Sequence, residues 1–130
     1  MLKWLDRTLV YGPYYSLCLS EESFKKELKK LKVEGYSTFL NPGANATAHY
    51  FTSDGGKLSC IVCMHPSKDR SLIEIHGLLV HEAVHIFDEA MEHYGEDKPS
   101  SEFKAYAIQN LSQNLFSAYK KLVKKMGKKK

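Results

Sequence analysis

No apolar run in this chain approaches the roughly 20 residues a helix needs to cross a bilayer, so nothing in it calls for a membrane-spanning role. Export through an N-terminal secretory signal is not expected either. Met1-Leu-Lys-Trp-Leu-Asp-Arg7 places charge where the apolar stretch of such a signal would lie. Cysteine is scarce and odd in number, with only Cys18, Cys60 and Cys63. That argues against a disulfide framework and for free thiols in a reducing compartment. Cys60-Ile-Val-Cys63 lacks the second ligand pair of a zinc ribbon, since only the isolated Cys18 and His65 are at hand. In a strand, residues three apart point to opposite faces, so these thiols read as small buried hydrophobes. Charge is not strongly one-sided either. The net +4 owes much to Lys120, Lys121, Lys124, Lys125 and Lys128-Lys-Lys130. No aromatics interleave that basic tail, about 120–130, so it reads as a solvated helix end whose lysines suit the helix dipole. At most weak, sequence-blind contact with nucleic acid is expected from it.

What remains is an ordinary globular composition, 43% hydrophobic and 26% charged over 130 residues. One domain, residues 1–130, is expected, with no room for a separate specificity domain.

The densest chemistry lies in His81-Glu82-Ala83-Val84-His85, which has the form H-E-x-x-H. On a helix, residues four apart share a face, so both imidazoles can reach one metal ion. Glu82 is rotated about 100° from His81, where it can hydrogen-bond a metal-bound water without taking the metal. Structural zinc sites close with four protein ligands, whereas two His and one carboxylate leave a position open for water. Ser71-Leu-Ile-Glu74 has the capping-box form, and the apolar pattern continues to Tyr94 with Gly95 placed to end it. On a wheel over 72–94, Ile75, Leu79, Val80, Ala83, Val84, Ile86, Phe87, Ala90, Met91 and Tyr94 fall on one broad side, with Gly77 and Leu78 as apolar exceptions. Glu74, His81, Glu82, His85, Asp88, Glu89 and Glu92 fall on the other. Both motif histidines are thus expected to face a cleft or solvent.

A third ligand is sought on the next helix, expected from about Ser101 to Lys124, with Ser100 or Ser101 as its N-cap and Pro99 just ahead. Glu102 lies in its first turn, and two helices joined by a short loop fold back on each other, so Glu102 can approach the histidine face. The plain alternative is a helix-start carboxylate favoured by the dipole. Glu89 is the runner-up ligand, although the helix carries it roughly 6 Å beyond His85. Tyr106, one turn past Glu102, is a candidate to stabilise an oxyanion or simply to pack. His76 and His93 lie beside the core stripe. His49 sits on a possible edge strand, where it could contact substrate or serve as a plain strand histidine.

Upstream, Ser20 can cap a short helix from Glu21 to about Lys32. Tyr36 to Leu40 reads as a strand, as do Thr47 to Thr52 and Lys57 to Met64, the last two joined through Asp54-Gly55-Gly56. The first nineteen residues, with Trp4, Tyr11, Tyr14 and Tyr15, resist assignment. An N-terminal helix, a small sheet of about three strands and two long helices make an α+β fold.

H-E-A-V-H followed by a loop and a helix opening Ser101-Glu-Phe-Lys-Ala-Tyr106 resembles the zincin metallopeptidases of the gluzincin type. The run Gly77-Leu-Leu-Val-His-Glu-Ala-Val-His-Ile-Phe87, with Ser101-Glu-Phe-Lys-Ala-Tyr-Ala-Ile-Gln109, is similar to small phage- and prophage-encoded proteins assigned as metallopeptidases. The resemblance covers most of the chain, with its specificity in residues 71–113. It implies a minimal zincin fold, zinc held by His81, His85 and Glu102, and Glu82 as general base. It also implies a peptide or protein substrate, and action in the cytoplasm of a bacterial host. In the resembled fold a sheet edge beside the metal helix holds the substrate as an added strand, a part open here to either the 46–52 or the 57–64 segment. One departure stands out. Larger gluzincins place Asp four residues after the ligand Glu, where this chain has Tyr106, so the surroundings of the ligands must differ. Alternatives from other classes are a metal-stabilised binding module without turnover and a DNA-associated zincin.

Overall fold

The computed structural model describes residues 14–36, 38–52, 56–66 and 69–128. Trp4 and Tyr11, the Asp54-Gly55 turn and the last two lysines of the tail lie outside them. In order come β1 (Tyr14–Cys18), α1 (Glu21–Lys30), β2 (Thr47–Thr52), β3 (Leu58–Cys63), α2 (Leu72–Tyr94) and α3 (Ser101–Lys128). The architecture is α+β, three helices on a small mixed sheet. Among the described residues no helix is long and apolar enough to cross a membrane.

The sheet order is β1-β3-β2, with β1 parallel and β2 antiparallel to β3. The central position of β3 explains its sequence. All six residues, Leu-Ser-Cys-Ile-Val-Cys, are buried, as a strand covered on both faces requires. Alternate side chains serve two cores. Tyr15, Leu17, Leu58, Cys60 and Val62 face α2 and α3, where they meet Leu79, Phe87, Leu111 and Leu115. Cys18, Ile61 and Cys63 face α1 and join Phe24, Leu28 and Phe39. Each such large side chain taken from water contributes roughly 1.5–3 kcal/mol. Cys60 and Cys63 therefore lie on opposite faces, and all three thiols are free and buried. Burial drives the Cys18 thiol up to about 12, with Glu27 adding to the shift, so it is a poor nucleophile at neutral pH.

Local sequence sets the helix ends. Ser20 Oγ accepts from Ser23 N at 3.2 Å to start α1, which ends at Lys30. Ser71 Oγ accepts from Glu74 N at 3.1 Å while Glu74 Oε1 accepts from Ser71 N at 3.0 Å, completing the box that opens α2. Gly95, at φ 75°, closes α2 in a left-handed turn that a residue with a Cβ would resist. Ser100 is the residue that caps α3, accepting from Phe103 N at 3.2 Å.

Two expectations fail here. Tyr36 and residues 38–40 form no strand. Their apolar rings instead cover the α1 face of the sheet, Phe39 packing edge-on to Phe24 with centroids 5.9 Å apart. Strand-like composition here serves burial and not pairing. The 57–64 segment is not an edge either, because β1 takes its second side. The first strand went unassigned because its pairing to β3 spans more than forty residues of chain.

Candidate metal centre

His81 and His85 stand on consecutive turns of α2 and both are exposed, as their place on the wheel requires. Their rings lie 4.7 Å apart at 73°, and the two Nε2 atoms approach to 3.1 Å. Two nitrogens bound to one tetrahedral zinc at about 2.0–2.1 Å would be roughly 3.3 Å apart. The two nitrogens, joined here by a hydrogen bond from one imidazole to the other, thus lie at nearly the spacing one ion requires. Four-residue separation on a helix that is capped at both ends is enough to produce this.

Glu82 departs from the expectation that it shares the histidines' open side. It is buried, with 4% of its surface exposed. The sheet explains why. At 100° from His81, Glu82 points to the flank of α2 that the sheet covers, and its charge reaches Tyr50 of β2 and Cys60 of β3. Burial raises its carboxyl above the usual range, while His85 and then His81 pull the other way. A carboxyl held up by its surroundings beside two imidazoles is a proton acceptor suited to return its proton.

Glu102 is exposed in the first turn of α3. Its neighbours show how the helices meet. Phe103 packs on Phe87 with centroids 5.9 Å apart, and Lys104 Nζ lies 4.0 Å from Asp88 Oδ1. Among the described residues no group of three His, Cys, Asp or Glu side chains is gathered at metal-binding spacing, so neither Glu102 nor Glu89 joins the histidine pair. Tyr106 is 68% exposed on the same side of α3 as Glu102 and is not packed into the core. His76 stacks on Phe116 at 4.1 Å, and His93 Nε2 bonds the Gly56 carbonyl at 2.8 Å, so both have structural work. His49 is a buried strand histidine facing the α1 side, away from α2.

Sequence reasoning missed Tyr50. Its register opposite Cys60 turns it to the α2 face, and its Oη is buried with no hydrogen-bond partner among the described residues. Burial first, then Cys60, Glu82, Glu89 and Asp88, raise its phenol far above the usual range. Strict alternation along β2 could have placed it beside α2, but only the packing shows which stretch of α2 it meets. No family model matches the chain, and neither a curated protein nor a solved structure matches it.

Proposed function

We propose that the chain is a zinc-dependent peptidase that cleaves peptide bonds with a metal-activated water and Glu82 as general base. The observation that carries this reading is the pair of Nε2 atoms at 3.1 Å beside a buried carboxyl that neither histidine needs as a ligand. A site built only to bind metal has no use for that carboxyl next to an open position. His81 and His85 would hold the ion, with Glu102 as the third ligand and Glu89 as its alternative. When bound, zinc supplies a water of pKa near 7 and polarises the scissile carbonyl. Glu82 takes the water's proton and passes it to the leaving amine, and burial keeps its carboxyl able to do both. Tyr106, exposed one turn past Glu102, could then donate to the developing oxyanion. The outer edge of β2 lies on the Glu82 flank of α2 and carries no strand among the described residues. An extended peptide is held there as an added strand.

Metal analysis tests the centre first. Purified protein carries near one zinc per chain, and the His81→Ala/His85→Ala double variant carries none. Glu102→Gln loses zinc if Glu102 is the third ligand, whereas loss in Glu89→Gln alone moves that role to Glu89. Glu82→Gln keeps metal and fold and abolishes cleavage of a broad peptide library. Equal behaviour of wild type and Glu82→Gln across substrates that wild type cleaves removes the enzyme reading in favour of a binding module.

A further inference from the structure

Gly77 stands in the interior of α2, one turn ahead of His81, with ordinary helical backbone. Glycine there weakens a helix relative to alanine, because it loses more backbone freedom on folding and brings no side chain to pack. Three reasons commonly account for such a residue. A left-handed turn is not one of them here, since Gly77 is absent from the positive-φ glycines. Close packing against a neighbouring element is not one either. Apart from its chain neighbours and the nearby backbone of α2, no atom of the described residues lies within 4 Å of the place a Cβ would take. The contact with α3 at this level is made by His76, which stacks on Phe116 at 4.1 Å. What remains is the close approach of a ligand's backbone.

The surroundings suit that reason. Gly77 lies about 40° round α2 from His81, on the side away from Glu82, and roughly 6 Å before it along the axis. Ile73 and Val80, four residues before and three after, adjoin it on the helix surface and are 83% and 38% exposed. A shallow notch with an open floor and two aliphatic flanks thus continues from the histidine pair. An extended peptide advances about 3.3 Å per residue, so the notch lies about two residues from a metal held by His81 and His85. Its floor is a single residue, which admits one strand of main chain and not a partner helix about 10 Å across.

We infer that Gly77 is a specificity-determining residue: a peptide held at the β2 edge crosses α2 over the histidines, passes its main chain close over Gly77 and lays an apolar side chain against Ile73 and Val80. The identity of this occupant rests on the peptidase reading.

Gly77→Leu tests the subsite, with Gly77→Ala beside it, since both substitutions favour a helix and neither adds or removes a metal ligand. Both variants melt at or above the wild-type temperature and carry wild-type zinc. The substrates are hexapeptide pools with Leu or Gly fixed at one position at a time. Wild type prefers Leu about tenfold at one position some two residues from the cleaved bond. Gly77→Leu lowers kcat/KM for that Leu pool about tenfold, through KM, and Gly77→Ala has a smaller effect in the same direction. An unchanged KM in Gly77→Leu overturns the inference, as does a rise that comes with lost zinc or a lowered melting temperature. If wild type cleaves none of the pools, amide shifts in 15N spectra carry the test. A Leu pool that shifts residues 73–80 in wild type and not in Gly77→Leu upholds the subsite while the peptidase reading fails alone. No shift in wild type, or the same shift in Gly77→Leu, overturns the subsite too.

Discussion

His49 and Tyr50 are neighbours in β2, and the strand sends them to opposite faces of the sheet. His49 is closed on every side. Its Nε2 donates to the Phe39 carbonyl at 2.8 Å, its Nδ1 accepts from the Tyr36 hydroxyl at 2.7 Å, and its ring stacks on Phe24 at 4.8 Å. Tyr50 points to the other face, toward Glu82, and its hydroxyl is left open. Buried polar groups in proteins are almost always paired, so the two neighbours differ in how completely the fold satisfies them. One face of a three-stranded sheet holds its irregular cover in place. The other packs against the helix that carries the histidine pair.

The comparison breaks most readily at His49. His49→Ala removes a stacked ring and leaves the Phe39 carbonyl and Tyr36 hydroxyl without partners, which costs about 2–4 kcal/mol. Urea unfolding shows that loss while zinc content per chain stays at the wild-type value. A matching loss of zinc would mean that the two faces are coupled.

Acid sharpens it next. Burial lowers the pKa of His49, an effect partly offset by its bond to Phe39. The folded value therefore lies below the unfolded one near 6.5. The stability it contributes is complete above that unfolded value and is lost as pH falls toward the folded one. Glu82 has the opposite sign. Its raised pKa means the folded state favours the protonated acid, a contribution present at low pH and lost as pH rises through the folded value. Urea midpoints taken from neutral pH down to about pH 5 fall in wild type and fall less in His49→Gln.

A smaller effect is expected at Glu82 itself. Glu82→Gln removes a buried charge that lacks a hydrogen bond, so stability is unchanged or raised, within about 1 kcal/mol, even as cleavage is lost. A drop of several kcal/mol would show that Glu82 is a structural group. Least of all should follow from deleting Lys124 to Lys130, which leaves zinc content intact and only flattens the salt dependence of any weak DNA binding.

Much of the candidate centre was legible before folding because it is local. The convergence of His81 and His85 needs only a helix, and the helix needs only Ser71, Glu74 and Gly95 at its ends. The alternation that separates Cys60 from Cys63 is equally local, as is the Ser20 cap of α1. The failures are all long-range. Tyr36 to Leu40 had the composition of a strand, but its backbone found a histidine side chain and its rings found a sheet face. The approach of Glu102 to the histidines is likewise long-range: the short hairpin brings α3 back to α2, and the packing of Phe103 on Phe87 accompanies a rotation that leaves Glu102 exposed.

By itself, then, the sequence determined the motif helix, its caps, the histidine pair and the two-faced pattern of β3, because each depends on contacts within a few residues. Tertiary structure alone decided that β3 is central, that β1 pairs with it, that Glu82 is buried and that Tyr50 lies along the same flank. Whether a side chain at 100° from the histidines meets water or a sheet depends on where that sheet comes to rest. No residue within one turn of Glu82 carries that information.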